Sequence, residues 1–197
     1  ARWREDFLAS KSGSDDADDR DDFELRVNVS PVQLVTDGFA ESVADILDEF
    51  GLDRGSVCLE ITENVVVQDS ESSRATLADL RRTGVRLAID DFGTGYSVLS
   101  HLKSLPVDIL KIDRSFVTDL GSNPGDLAIV RAIIALADSF GLQIVAEGVE
   151  TTAAATTLLR LGCHRAQGFL LSRPLPSDQM ATLYRKGRVP VRFTSEM

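Results

Sequence analysis

Apolar and polar positions alternate or cluster along the chain in a repeating order of short strand and longer helix. Phe23, Leu25, Val27 and Val29 fall on one side of an alternating stretch that stops at Ser30-Pro31, a strand and its exit, with Asn28 on the opposite side. Phe39, Val43, Ile46, Leu47 and Phe50 recur at three and four, predicting a helix capped by Thr36 or Asp37 and closed by Gly51. Val57-Cys-Leu-Glu-Ile61 reads as the next strand, and a helix opened by Asp69 or Ser70 runs through Leu77 and Leu80 to Gly84. The strand Val85 to Asp90 follows, then a short helical piece around Val98 to Lys103, and Pro106 introduces a strand over Ile109 to Asp113. Asn123-Pro124 starts the longest helix, which Gly141 ends. Gln143 to Ala146 is a strand, Thr151 or Thr152 caps a helix to Leu161, Arg165 to Gly168 leads into Phe169, and Ser177 caps a final helix.

Strand and helix thus alternate six times, with polar strand ends at Asn28, Glu60, Asp90, Lys111, Glu147 and Gln167. These ends lie about 28 residues apart on average, close to the roughly 31 residues per unit of an eight-unit barrel. An open doubly wound sheet concentrates its polar groups at one switch point, whereas here every strand carries one at its end. The spread favours an α/β barrel of the TIM type, incomplete at the N-terminus, because six units do not close it.

Length and composition fit one such domain. The chain has 197 residues, of which 43% are hydrophobic, and no apolar run approaches the roughly 20 residues that span a bilayer. We expect no membrane contact from this domain and a cytoplasmic location, with any membrane anchor of the full-length protein residing in other domains. Cys58 and Cys163 lack CxxC spacing and read as buried thiols of a reducing compartment. The net charge of −10 argues against a DNA or RNA duplex as partner. Part of it is the run Asp15 to Asp22, which joins a remnant helix over 1–9 in a region, 1–22, separate from the barrel over 23–186 and the tail over 187–197.

The chemistry centres on Leu87-Ala-Ile-Asp-Asp-Phe-Gly-Thr-Gly95, where a strand ends in two adjacent carboxylates. Neighbouring Asp side chains resist burial as anions unless cations compensate them. An isolated Asp-Asp-Phe-Gly also suits an exposed turn. The other strand ends add Glu60, Glu63, Lys111, Asp113, Glu150 and Gln167, an oxygen-rich set that suits Mg²⁺, Mn²⁺ or Ca²⁺ rather than zinc. His101 and His164 fit packing or surface roles better than ligation.

Six stretches then resemble one family, the EAL domains, phosphodiesterases of the bacterial messenger cyclic di-GMP. They are Asn28-Val-Ser30, Glu60-Ile-Thr-Glu63, Asp90-Asp-Phe-Gly-Thr-Gly-Tyr-Ser97, Lys111-Ile-Asp113, Ala146-Glu-Gly-Val-Glu150 and Gln167-Gly-Phe169. The resemblance implies two divalent cations, Mg²⁺ or Mn²⁺, one held by Asn28, Glu60 and Asp90 and the other by Asp90, Asp91 and Glu147. It implies that Lys111, Glu147 and Gln167 are catalytic, that Gln167 and Asp113 contact the substrate, and that Glu63 and Glu150 support the Phe92-to-Leu99 loop. Through that loop the family forms homodimers. The Glu-Ala-Leu signature, which supplies a further ligand to the first cation, does not occur in this sequence. Ala1-Arg-Trp3 echoes its end but lies too near Asn28. We therefore expect the signature some 50 positions before Asn28 in a longer protein, and weak or no turnover from this stretch alone. The rival expectation is a silent EAL domain that senses cyclic di-GMP or binds a protein; the retained acids weigh against it.

Overall fold

The computed structural model describes residues 24–63, 71–95, 102–103 and 105–185. The expected remnant helix and acidic run, the tail from 187, His101, and the proposed caps Asp69 and Ser70 lie outside the described residues.

Five parallel strands form one sheet: β1 (Leu25–Asn28), β2 (Val57–Thr62), β3 (Arg86–Phe92), β4 (Ile109–Ile112) and β5 (Gln143–Ala146). Their spatial order is their chain order, and each pairs in parallel with the next. A doubly wound sheet reverses its order at a switch point; a barrel wall advances in one direction, as this sheet does. The sixth expected strand is reduced to a bridge between Ala146 and Ala166, flanked by hydrogen bonds from Ala146 N to Arg165 O and from Gln167 N to Ala146 O.

The helices are α1 (Pro31–Leu34), α2 (Phe39–Glu49), α3 (Glu71–Thr83), α4 (Arg114–Val117), α5 (Pro124–Phe140), α6 (Thr152–Arg160) and α7 (Ser177–Arg185). The caps of α5 and α6 are those the sequence indicates. Asn123 accepts from Gly125 N at 2.9 Å, Thr151 accepts from Ala154 N at 3.1 Å, and Gly141 closes α5 in the left-handed conformation. The start of α2 differs from expectation: Gly38, not Thr36 or Asp37, is its N-cap. Thr36 belongs to the end of α1, where its hydroxyl donates to Val32 O at 2.8 Å. That short helix comes from a reciprocal capping box between Ser30 and Gln33.

Strand register sorts the core into two faces. Leu59, Ile61, Leu87, Ile89, Leu110 and Ile112 face the helices and join Leu77, Leu80, Val130, Ile133, Ile134 and Ala137 in the main core. Cys58, Ala88, Ile109 and Val145 form a separate small cluster on the other face, which is the lumen side of the wall. Residues on that face alternate with the first set, so two steps further along each strand the lumen turns polar. Both cysteines are free and buried, and burial pushes the Cys58 thiol up to about 12. Among the described residues no helix is long and apolar enough to cross a membrane.

Candidate functional site

The polar strand ends meet where the lumen-facing side chains run past the apolar cluster. Asn28 pairs with Glu60 across β1 and β2, and Thr62 with Asp90 across β2 and β3. Lys111 on β4 is 2% exposed, and its ammonium reaches three carboxylates: Glu60 Oε2 at 2.8 Å, Asp90 Oδ1 at 2.9 Å and Glu147 Oε1 at 2.5 Å. A lysine has three donors, so each has one carboxylate. Burial alone would lower its proton affinity, but the hydrogen bonds to Glu147, Glu60 and Asp90 outweigh it and hold the Lys111 pKa above its ordinary value. The ammonium is therefore a fixed charge at neutral pH.

Adjacent residues on a strand point to opposite faces, which should separate Asp90 from Asp91. The backbone prevents this. The β3–β4 register shifts between Ile89 and Phe92, and Asp91 adopts φ 54, the left-handed region that non-glycine residues rarely enter. Asp90 Oδ1 accepts from the Asp91 N–H at 3.1 Å, fixing the turn. Carboxylate oxygens of Asp90, Asp91 and Glu147 consequently lie within 4.8 Å of one another. Burial first, and then the nearby charges of Asp90 and Asp113, raise the Asp91 pKa. Burial likewise raises that of Glu147 despite Lys111. Asp113 departs the other way: burial is outweighed by hydrogen bonds from Ser115 and Asp91. Its Oδ1 accepts from Ser115 N at 2.9 Å and so caps α4, a helix the sequence reading missed.

Gln167 Nε2 donates to Glu147 Oε1 at 2.6 Å. Glu63, 3% exposed, accepts from Gly93 N at 2.8 Å and Gly95 N at 3.2 Å, tying β2 to the first part of the Phe92-to-Leu99 loop. Residues 96–99 of that loop lie outside the described residues. Glu150 is exposed, and among the described residues no hydrogen bond or ion pair joins it to this loop. His164 is exposed.

Gly168 sets the position of Gln167. A Cβ there would overlap the Val149 amide nitrogen and carbonyl oxygen, whose hydrogen bonds run to Gln167 O and Leu170 N. Backbone cannot yield as a side chain tip can, so Gly168→Ala is expected to cost about 1–3 kcal/mol by overpacking. A urea midpoint matching the wild type would contradict that.

Four carboxylates around one ammonium leave net negative charge, and the donors are all oxygens. Glu60 Oε1 is buried without a hydrogen-bond partner among the described residues. This set fits hard divalent cations, which demand several anionic oxygens. A model of the EAL domain matches residues 7–174. The chain belongs to the EAL domain family. The crystal structure of the EAL domain of Mycobacterium smegmatis DcpA is 68% identical, covering 96% of this chain and 80% of that one with a TM-score of 0.86. The Pseudomonas aeruginosa phosphodiesterase MucR, solved in complex with cyclic di-GMP, is 43% identical over 90% of this chain and 70% of its own, with a TM-score of 0.80. Klebsiella pneumoniae BlrP1, solved with manganese and cyclic di-GMP, is 36% identical over 78% of this EAL chain and 39% of its own, with a TM-score of 0.74. The chain spans about a quarter of the length of the curated relatives it matches.

One partly buried charge near the acids escaped the sequence reading. Arg26 sits two residues before Asn28 on the lumen side of β1, where its Nη1 comes within 3.6 Å of Glu60 Oε1. The alternation that set Asn28 apart from Leu25 and Val27 carried the signal.

Proposed function

We propose that this EAL domain is the hydrolytic part of a metal-dependent phosphodiesterase that opens cyclic di-GMP to linear pGpG. The convergence of Asp90, Asp91 and Glu147 oxygens beside a buried, triply paired Lys111 carries this reading. Asn28, Glu60 and Asp90 would hold one divalent cation, and Asp90, Asp91 and Glu147 a second, as Mg²⁺ or Mn²⁺. Such ions supply Lewis acidity and a nucleophile at neutral pH.

The chain's own groups supply placement and charge. Lys111 holds Glu60, Asp90 and Glu147 in fixed rotamers and sets a permanent positive charge where negative charge builds on the phosphoryl oxygens. Gln167, fixed to Glu147 through one amide hydrogen, keeps its carbonyl and second hydrogen for water or a phosphate oxygen. Asp113, an anion at the rim of α4, is available to accept from a donor of the substrate. One water adds across one phosphodiester bond, leaving a phosphate on one end and a hydroxyl on the other. Glu63, by fixing Gly93 and Gly95, sets the base of a loop that we assign to homodimer contact.

The test is to incubate the full-length protein with cyclic di-GMP and separate the products by chromatography. We expect pGpG with Mn²⁺ or Mg²⁺ and none after chelation. Tight nucleotide binding without metal-dependent turnover would favour a sensor and overturn the reading.

A further inference from the structure

The lumen of the wall carries a row of alternating charges that begins one level below the acids and ends on them. Arg86 Nη1 lies 2.5 Å from Glu24 Oε2. Glu24 Oε1 accepts from Arg26 Nε at 2.9 Å and meets its Nη2 at 2.9 Å. The guanidinium is thus anchored by two of its nitrogens, and its third, Nη1, is left projecting toward Glu60 Oε1. Lys111 takes the other Glu60 oxygen. Register explains the row: Arg26, Cys58 and Arg86 share one level across β1, β2 and β3, with Asn28 and Glu60 at the next.

Two of these atoms stand out. Arg26 Nη1 and Glu60 Oε1 are both buried and, among the described residues, neither has a hydrogen bond. They face each other at 3.6 Å, too far for a hydrogen bond and close enough for strong attraction where water is scarce. Glu60 is therefore pulled from two sides, by Lys111 at one oxygen and by Arg26 at the other. Were Arg26 neutral, no charge among the described residues would hold Oε1 in place, and the carboxylate would be free to turn about its contact with Lys111.

We propose that Arg26 is a positioning residue: anchored by Glu24, it holds Glu60 so that one carboxylate oxygen stays free of Lys111 and keeps a lone pair for a divalent cation. This deepens the function proposed above and rests on Glu60 being a metal ligand. A planar guanidinium suits the task because its fork can grip Glu24 while one nitrogen projects onward; a lysine offers a single point of attachment. Partners that orient metal ligands typically change metal affinity by roughly 10- to 100-fold when lost.

The test measures Mn²⁺ affinity by calorimetry in the full-length protein, with thermal unfolding of each metal-free variant alongside. Arg26→Met is expected to bind Mn²⁺ about tenfold more weakly, Arg26→Lys to fall between it and the wild type, and Glu24→Gln, which frees the guanidinium, to weaken binding in the same direction. Glu24→Gln combined with Arg26→Met should bind no worse than Arg26→Met alone, because both act through one contact. Arg82→Met removes an exposed charge that pairs with Asp79 and should leave the affinity unchanged, excluding a net-charge effect. Should Arg26→Met fail to fold, Glu24→Gln decides. Affinity unchanged or tightened in Arg26→Met and Glu24→Gln would overturn the proposal. A wild-type protein that binds no Mn²⁺ would instead overturn the metal site itself.

Discussion

Asp90→Asn is expected to lower cyclic di-GMP hydrolysis at least about 100-fold while leaving the fold intact, more than the loss of an orienting partner costs. Asp90 is the carboxylate that links both halves of the site. It touches Lys111 at 2.9 Å on the side of Glu60, and it shares the cluster with Asp91 and Glu147 on the other. An amide keeps one oxygen for Lys111 but turns an N–H₂ toward the cluster, where a cation needs an anionic oxygen. Its side chain is partly solvated at the strand end, so loss of charge there relieves repulsion as much as it removes attraction. Metal-free melting should therefore stay near that of the wild type, separating this outcome from unfolding. Hydrolysis near the wild-type rate in Asp90→Asn would remove Asp90 from both proposed cation sites.

How much of this was legible in the sequence depends on which physical rule governs each residue. The winding of the sheet follows from strand ends spaced by helices, and those are written in glycines and caps such as Gly141, Asn123 and Thr151. Lys111 could be read as facing a carboxylate cluster because it interrupts an apolar strand run. Its three partners come from β2, β3 and the residue just past β5, and only the register brings them together. The left-handed Asp91 was not legible: two adjacent carboxylates on a strand should diverge, and the register shift that reunites them depends on β4. Asp113 was read only as a functional acid, yet it also caps α4, because a capping carboxylate and a binding carboxylate look alike in sequence.

Lys111→Met tests whether the site was built around that single ammonium. At 2% exposure the side chain has no access to water in which to leave its partners. Methionine fills most of the stem's volume, so the loss is chiefly electrostatic: Asp90 and Glu147 face each other without the ammonium, and Glu60 keeps only the more distant Arg26 at 3.6 Å. Breaking a buried ion pair by removing one partner costs about 3–5 kcal/mol, and a loss of that size is expected in metal-free denaturant titrations. The pH dependence has a definite sign. Glu147 already holds its proton more tightly than a free glutamate, burial being the first cause, with Lys111 opposing it. Without the ammonium the folded pKa rises further above the unfolded one, so the variant's stability is present at low pH and lost as pH climbs through the carboxylate range. The deficit relative to wild type should thus be larger at pH 8 than at pH 5. Added Mn²⁺ replaces positive charge among the same oxygens and should stabilise the variant by more than it stabilises the wild type. Hydrolysis should not return with it, since a cation held by the carboxylates cannot also serve as the fixed charge beside them. A metal-free Lys111→Met as stable as the wild type at pH 8 would mean that the acids compensate themselves by sharing protons, and that Lys111 does not hold them in place.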